Sequence, residues 1–257
     1  MELKVISDFF DRIAPQSRSS EWDNDGTMLL GCNKDIKKVL ITLDVNSEAI
    51  ENAINNNVNL IISHHPFIFR PIKRISDDLL SDNIRKLIKN DISVLSYHTR
   101  MDASDVGINQ YILQKLGLDD IKPFGEEPES FIGRIGTYNS PVDSSKFYNL
   151  IKKVFNCSHF TVTAPLSEVK SVAVVSGGGN EFADTARSLG ADVFISGEFR
   201  HHQYIHHTET GFPVISIDHY HCENVFVDLV YQLLTNEFTD IELIKNYGNA
   251  PFSDITI

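Results

Sequence analysis

The sequence predicts an α/β fold of two interlocked α/β domains, related by an apparent internal duplication and with mainly parallel central strands. Short apolar runs alternate with segments of helical periodicity, which is typical of strands covered by helices. A β-α-β pattern occurs twice along the chain, and polar side chains follow the ends of several strands. The 257 residues are enough to bury the core of one large domain or two small ones.

The first β-α-β unit lies in the N-terminal half. The apolar runs KVLITLDV (38–45) and VNLIISHH (58–65) predict two strands. The segment between them has apolar residues at helical spacing, and Ser47 near its start is of a residue type that caps helix N-termini. These features predict a helix that connects the two strands.

The second β-α-β unit, residues 172–198, aligns without a gap on residues 39–65 at a constant offset of 133. Any two such units share periodicity, but the equal length and the shared strand ending Ile-Ser favour a structural duplication. Each copy is followed by another strand, at 92–99 and 212–221. The repeated order of strands and helices predicts a largely parallel sheet, with ligands beyond the carboxyl ends of its strands.

The chain between the two units contains further elements. Residues 121–130 are rich in proline, glycine and acidic residues, and this composition predicts a linker. Residues 131–170 then predict a strand, a helix and a strand that open the second half.

Composition excludes several classes of protein. A formal net charge of -12 argues against nucleic acid as a partner, because a phosphate-binding surface needs clustered Lys and Arg. The three cysteines have no CxxC spacing, so neither a disulfide framework nor a thiolate zinc site is indicated, and a reducing cytosol suits them. No apolar run approaches the roughly 18 residues of a membrane span. We therefore expect a soluble, cytoplasmic protein that does not bind a membrane.

Two adjacent histidines end the strand at 58–65. In a continuing strand His64 and His65 would face opposite sides of the sheet. Pro66 cannot continue a central ladder, so the chain turns there and both imidazoles can approach one site.

Two other strand ends pair a histidine with a carboxylate four residues later. The pairs are His98 with Asp102 and His219 with Glu223, and on one helical turn each pair shares a face. Imidazole and carboxylate donors without thiolates suit Zn, Fe or Mn. A single buried histidine is more often a hydrogen-bonded core residue, but three such strand ends together favour a metal site.

A second histidine cluster, EFRHHQYIHH, covers residues 198–207. His202 and His206 have i, i+4 spacing, so either a second metal site that includes Glu198 or a solvated helix with a pocket-facing His202 fits the pattern. In the internal alignment Glu198 takes the place of His65, which predicts that Glu198 and His202 lie on the substrate side of the cleft. The nearby SGGGN (176–180) predicts either a backbone anion site or a plain glycine-rich turn.

Short motifs are spread along nearly the whole chain: EWDNDGTMLLG (21–31), SHHPFIF (63–69), YHTRMD (97–102), VSGGGNEF (175–182), ISGEFRHH (195–202), HYHCE (219–223) and NAPF (249–252). Together they resemble the Nif-three-like family of dinuclear metal-centre proteins, also known as type 2 homologues of GTP cyclohydrolase I. The resemblance implies that His64, His65, Asp102, His219 and Glu223 are metal ligands. It also implies a homohexameric ring with two α/β domains per subunit and metal sites that face an interior cavity, in the short form of the family. The chain departs from the family pattern at Thr27, where Leu is usual, and at Glu198, where Asp is usual.

The ligand set that the resemblance implies also predicts reactivity. Five protein ligands cannot saturate two divalent ions, so a carboxylate, Asp102 or Glu223, must bridge, and positions remain for water or substrate. Open positions favour catalysis over a structural role. His98 is expected to orient Asp102 or to donate a proton to a leaving group; a plain hydrogen bond at the strand end is the alternative.

Three functional classes fit these features. The first is a dinuclear metal-dependent hydrolase with a small-molecule substrate, either a nucleotide whose purine ring is opened, as the family name suggests for GTP, or a phosphoester. The second is a non-catalytic metal-binding regulator or interaction scaffold. The third is metal storage or insertion.

The ligand positions also predict how the domains are organised. Ligands from 64–102 and 219–223 must meet, so the metal-binding α/β domain should be discontinuous. We predict that it comprises 1–124 and 213–257, with 125–212 inserted as the second α/β domain.

Overall fold

The computed structural model of the chain describes residues 1–125 and 131–253, which fall into two units. Unit 1 comprises Met1–Met101 and Phe226–Asn249, and unit 2 comprises Asp102–Val225 and the segment from Ala250. Each unit contains one sheet.

Two short 3₁₀ helices cover Gln16–Arg18 and Gly179–Phe182. The helices are α1 (Leu3–Ile13), α2 (Ser47–Asn55), α3 (Leu79–Lys89), α4 (Thr99–Ala103), α5 (Ile108–Leu116), α6 (Ser144–Phe155), α7 (Ala183–Ser188), α8 (His201–Glu209), α9 (His219–Glu223) and α10 (Val225–Glu237). The strands are β1 (Gly26–Leu29), β2 (Lys38–Thr42), β3 (Leu60–Ser63), β4 (Ser93–Ser96), β5 (Asp119–Phe124), β6 (Gly133–Asp143), β7 (Thr161–Val162), β8 (Glu168–Val174), β9 (Val193–Ser196), β10 (Val214–Ser216) and β11 (Glu242–Asn246).

The sheet of unit 1 has the strand order β1-β4-β3-β2-β11. Strands β4, β3, β2 and β11 are parallel, and β1 is antiparallel at one edge. Every residue of β3 and β4 is buried, as expected for strands covered on both faces. Ser63 is paired with Ser96, so β3 and β4 end side by side and the residues that follow them emerge at the same sheet edge.

The helix of the first β-α-β unit, α2, begins where its sequence offers a cap. Asn46 accepts a hydrogen bond from the backbone N–H of Ala49, so Asn46 is the N-cap. The expectation that Ser47 caps this helix is therefore wrong by one residue. Ala49, Ile50 and Ala53 form the buried face of α2.

The sheet of unit 2 has the strand order β5-β6-β8-β9-β10-β7. Strands β8, β9 and β10 are parallel, whereas β5, β6 and β7 pair in antiparallel fashion. Ser196 is paired with Ser216, so the carboxyl ends of β9 and β10 are also neighbours. A cluster of buried apolar residues joins this sheet to α7, with members on β5, β8, β9 and β10.

The predicted α/β class with mainly parallel central strands is confirmed. Both predicted β-α-β units are present, as β2-α2-β3 and as β8-α7-β9, and each has a parallel strand pair. The strand, helix and strand predicted within residues 131–170 are β6, α6 and β7. The internal duplication stays a prediction.

The two units divide the chain at 101/102 and 225/226, whereas the predicted boundaries were 124/125 and 212/213. The difference arises because β5 pairs with β6, and β10 pairs with β9 and β7, so both strands belong to the second sheet. Residues 121–124 of the predicted linker are part of β5, and 126–130 lie outside the described residues. No helix in the described part of the chain is both long enough and apolar enough to cross a membrane.

Candidate metal centre

Three histidines gather at the carboxyl edge of the sheet in unit 1. The backbone N–H groups of His64 and His65 still bond to the carbonyls of Thr42 and Leu43, so both histidines extend the line of β3. The ring of His98, which follows β4, lies 5.1 Å from that of His64 and 5.7 Å from that of His65. One ring nitrogen from each lies within 4.8 Å of the others. The adjacent ends of β3 and β4 therefore bring three imidazoles together.

Each of these three rings directs Nδ1 at an oxygen that can only accept a hydrogen bond. Nδ1 therefore carries a hydrogen, and in a neutral ring the lone pair is on Nε2. Metal-binding histidines usually have this arrangement, with an oxygen partner that fixes the tautomer and the ring orientation. The three pairs are His64 with the carbonyl of Tyr97 at 2.9 Å, His65 with Oδ1 of Asp44 at 2.7 Å, and His98 with Oδ1 of Asp23 at 2.8 Å.

Asp23 is the most constrained of these partners. Its carboxylate also accepts hydrogen bonds from the backbone N–H and the hydroxyl of Thr99. Burial raises the pKa of Asp23, but the hydrogen bond and charge of His98 and the bonds from Thr99 outweigh it and lower the pKa to about 2. Asp23 is therefore ionised at neutral pH and holds His98 in a fixed orientation.

Sequence reasoning missed the roles of Asp23 and Asp44. Asp44 follows β2, the neighbour of β3, so its position beyond a strand end was a usable signal. Asp23 lies in a loop, and only its place within the motif EWDNDGTMLLG singled it out. The geometry also places His98 as close to His64 and His65 as a ligand would be, while its predicted role as an orienting group or proton donor stays a prediction.

In unit 2, the short helix α9 carries two of the predicted ligands. Nε2 of His219 lies 3.0 Å from Oε2 of Glu223, which is buried, so this i, i+4 pair shares one face. Nδ1 of His219 lies 3.5 Å from Oε1 of Glu198. Asp102, also buried, accepts a hydrogen bond from Ser176, and one of its oxygens lies within 4.8 Å of an oxygen of Glu223. Unit 2 thus presents two close carboxylates with a histidine beside one of them.

Asp218 determines where α9 begins. Its side chain accepts a hydrogen bond from the backbone N–H of His221 and another from Nδ1 of that ring. The φ of Asp218 is +85°, which is unusual for a residue other than glycine and is a form of strain often found at functional sites. The cap and the turn together place His219 at the first position of the helix.

The glycine-rich segment after β8 packs against α9. A Cβ on Gly177, whose φ is +59°, would lie 2.1 Å from Oε1 of Glu223. A Cβ on Gly197 would lie 2.6 Å from the carbonyl oxygen of Gly177 and 3.1 Å from Cα of His219. Glycine is therefore required at both positions for the close approach of Glu223 and His219, whether or not the segment also binds an anion.

The substitution Gly177→Ala should displace the Glu223 carboxylate and destabilise unit 2. Gly211→Ala is a matched control, because Gly211 has a φ of +65° and its added Cβ would meet no atom within 4 Å. We expect Gly211→Ala to lower the free energy of unfolding by about 1 kcal/mol from backbone strain alone. Gly177→Ala should lower it by about 1–3 kcal/mol more, because a close contact is added. Urea denaturation of both variants measures this difference, and equal losses would contradict it.

The sequence left open whether α8 carries a second metal site that includes Glu198 or is a solvated helix with a pocket-facing His202. His202 is exposed, and Nε2 of His206 lies 3.2 Å from Oδ1 of Asp184. The donor group that the described residues form on this helix consists of Asp184, His206 and His207. The assignment of Glu198 and His202 to a substrate pocket stays a prediction.

These features define a mixed α/β protein with imidazole and carboxylate groups, suited to metal ions, beyond its strand ends. The chain belongs to the Duf34/NIF3 (NGG1p interacting factor 3) family, whose sequence profile matches residues 1–248. The family resemblance stated from the motifs is thereby confirmed.

Individual relatives match over nearly the whole chain. A Clostridium perfringens (strain 13) protein named GTP cyclohydrolase 1 type 2 homolog is 32% identical over 262 residues, covering 99% of this chain and 100% of that protein. The crystal structure of a Staphylococcus aureus hypothetical protein has a TM-score of 0.89 at 24% identity, covers 99% of each chain and shows the same fold. Reduced HcgD from Methanocaldococcus jannaschii has a TM-score of 0.82 at 28% identity and covers 95% of this chain and 97% of its own.

Proposed function

We propose that this protein is a dinuclear metal-dependent hydrolase. Two divalent ions, zinc, iron or manganese, are bound by His64, His65, Asp102, His219 and Glu223. The substrate is a small molecule, either a nucleotide such as GTP, whose purine ring is opened, or a phosphoester. The names of the relatives support the first choice, since they are called homologues of GTP cyclohydrolase 1 type 2.

The observation that carries the proposal is the hydrogen bonding of the two histidine rings at Nδ1. His64 and His65 each have Nδ1 held by an oxygen acceptor, so each offers Nε2 as the donor atom of a neutral ring. The carboxylates of Asp102 and Glu223 lie close to each other and are both buried. Buried carboxylates this close repel each other, and a divalent cation relieves that repulsion. The donor set therefore fits metal ions in its chemistry and in the orientation of its rings.

When bound, paired divalent ions polarise a carbonyl or phosphoryl oxygen and lower the pKa of water. Asp102 and Glu223 are the candidates for a bridging carboxylate. His98 can carry a proton on Nε2 for a leaving group, because Asp23 at Nδ1 stabilises the charged ring.

Metal content tests the ligand assignment first. Wild-type protein should carry up to two divalent ions at these ligands, and Asp102→Asn or Glu223→Gln should remove at least one of them. His202→Ala, an exposed histidine outside the ligand set, should leave them in place. Elemental analysis that finds the full metal content in both carboxylate variants would contradict the assignment of Asp102 and Glu223 as ligands.

Turnover then tests the hydrolase proposal. Metal-loaded wild-type protein is incubated with GTP, a panel of phosphoesters and a cell-extract metabolite pool, beside Glu223→Gln of known metal content. We expect wild type to consume at least one compound that the variant leaves intact, with a rate that falls below a pH of about 7. If it consumes none, the hydrolase proposal fails and a metal-binding regulator or scaffold takes its place.

The family resemblance also leads us to propose a homohexamer in the cytoplasm. The three free cysteines suit a reducing compartment. Light scattering should give six times the chain mass of 29.0 kDa, and a stable monomer would remove the hexamer from the proposal.

A further inference from the structure

Unit 2 contains a second group of metal-type donors, which the proposed hydrolase does not use. It consists of Asp184 on α7 and the adjacent His206 and His207 on α8. One donor atom from each lies within 4.8 Å of the others. Nε2 of His206 and Oδ1 of Asp184 are 3.2 Å apart, close to the separation of about 3.3 Å between two ligands on a tetrahedral zinc ion with bonds of about 2.0 Å.

His207 gives independent support for a ligand at this group. The residue is only 3% exposed, and its ring is packed near Phe199 and Phe212. Nδ1 of His207 is buried and has no hydrogen-bond partner among the described residues. Buried polar atoms in proteins nearly always have a partner, so this nitrogen calls for an explanation, and an ion or an ordered water is the usual one. Burial also lowers the pKa of His207, which favours the neutral form of the ring that binds metals.

The rest of the group is open to solvent. The side chains of Asp184 and His206 are 65% and 49% exposed, so an ion can enter and keep water at a fourth position. Arg187 is a nearby positive charge that opposes the binding of a cation, and it contributes to lowering the pKa of His207. Its guanidinium donates a hydrogen bond to the Thr210 carbonyl and lies over the Phe212 ring. Two imidazoles and one carboxylate suit zinc, with an exposed carboxylate to offset its charge.

We propose that Asp184, His206 and His207 bind one zinc ion that links α7 to α8. The side chains of neighbouring helix residues usually diverge, but the rings of His206 and His207 lie 4.9 Å apart at 71°, within reach of a common ion. This site is separate from the five proposed ligands of the hydrolase, and its occupancy does not depend on that function.

The alternative is a plain ion pair between His206 and Asp184, and one variant separates the two explanations. His206→Lys keeps a cation beside Asp184 but removes an imidazole, and a lysine ammonium is not a zinc ligand at neutral pH. His206 is exposed, so this change should leave the fold intact. His202→Ala is the matched control, because it removes an exposed histidine one turn earlier on the same helix.

The experiment titrates metal-free full-length protein with zinc chloride alone and counts bound ions by equilibrium dialysis. We expect His206→Lys and Asp184→Asn each to bind one zinc ion fewer per chain than wild type, or to bind that ion at least tenfold more weakly. His202→Ala should match wild type. Zinc should also raise the unfolding temperature of wild type more than that of His206→Lys. Equal stoichiometry, affinity and thermal shift in wild type and His206→Lys would overturn the site.

Discussion

Arg100→Met is expected to lower the free energy of unfolding by about 3–5 kcal/mol, because it leaves a buried carboxylate without its cation. Arg100 is 1% exposed, and its Nε lies 3.2 Å from Oδ1 of Asp25, whose side chain is fully buried. The guanidinium also bonds to Asp11 and to the carbonyl of Ala14, and it lies 4.6 Å above the ring of Tyr97. Removing it takes away all of these contacts at once.

A second substitution tests whether the uncompensated charge of Asp25 causes the loss of stability in Arg100→Met. Asp25→Asn in the Arg100→Met background removes the uncompensated charge and should recover part of the lost stability, so the two changes should not be additive. Arg12→Met is the control, because Arg12 pairs with Glu237 at an exposed position, where such pairs contribute about 0–1 kcal/mol. Urea denaturation of wild type, Arg100→Met, Asp25→Asn, the double variant and Arg12→Met gives the five free energies of unfolding that the comparison needs. A loss in Arg100→Met no larger than in Arg12→Met would contradict the argument.

The sheets were predictable because their signal is local. β2, β3 and β4 are short, almost entirely buried and rich in Val, Ile and Leu, so each stands out as an apolar run between polar segments. The cap of α2 was missed by one residue because Asn46 and Ser47 are adjacent and both are good N-cap types. Only the backbone geometry decides between two such neighbours.

The division of the chain into two units was less predictable, because the periodicity of a strand does not show which other strand it pairs with. β5 looks like a linker by composition, yet it forms an edge strand against β6, where a proline in the strand is tolerated. β10 was assigned to the first domain because the ligand residues follow it. It lies instead beside β9, and only the sheet order shows this.

The candidate site was likewise predictable only in part. The histidines were predictable because parallel strands end at a common edge, which makes the residues after β3 and β4 neighbours. The oxygen atoms that orient them come from the loop before β1, the end of β2 and the backbone of Tyr97. A backbone carbonyl has no sequence signature. Asp184 and His207 likewise come together only through the packing of α7 near α8.

Arg134→Met is expected to destabilise unit 2 by about 3–5 kcal/mol, by a different mechanism from Arg100→Met. Arg134 is 2% exposed, and its two terminal nitrogens donate to four backbone carbonyls. Each buried carbonyl left without a donor costs about 1–3 kcal/mol, although some will find water. Arg134 also pairs with the carboxylate of Asp105, which is well exposed, so this ion pair adds little. The four acceptors are Phe131 at 2.6 Å, Gly133 at 3.0 Å, Ala103 at 2.7 Å and Ser104 at 3.0 Å.

Two of these carbonyls directly follow Asp102, so the substitution should also reach the proposed metal ligand. Without Arg134, the carbonyls of Ala103 and Ser104 lose hydrogen bonds that hold this segment, so the Asp102 carboxylate is held less firmly. We expect Arg134→Met to weaken metal binding at the Asp102 site, measured by zinc titration beside urea denaturation. Arg134→Lys separates the effect of charge from that of geometry. Lysine keeps the positive charge but lacks the planar guanidinium whose N–H groups donate to several carbonyls at once. If the carbonyls matter, Arg134→Lys stays deficient in both measurements, and full recovery by lysine would show that the charge alone was needed.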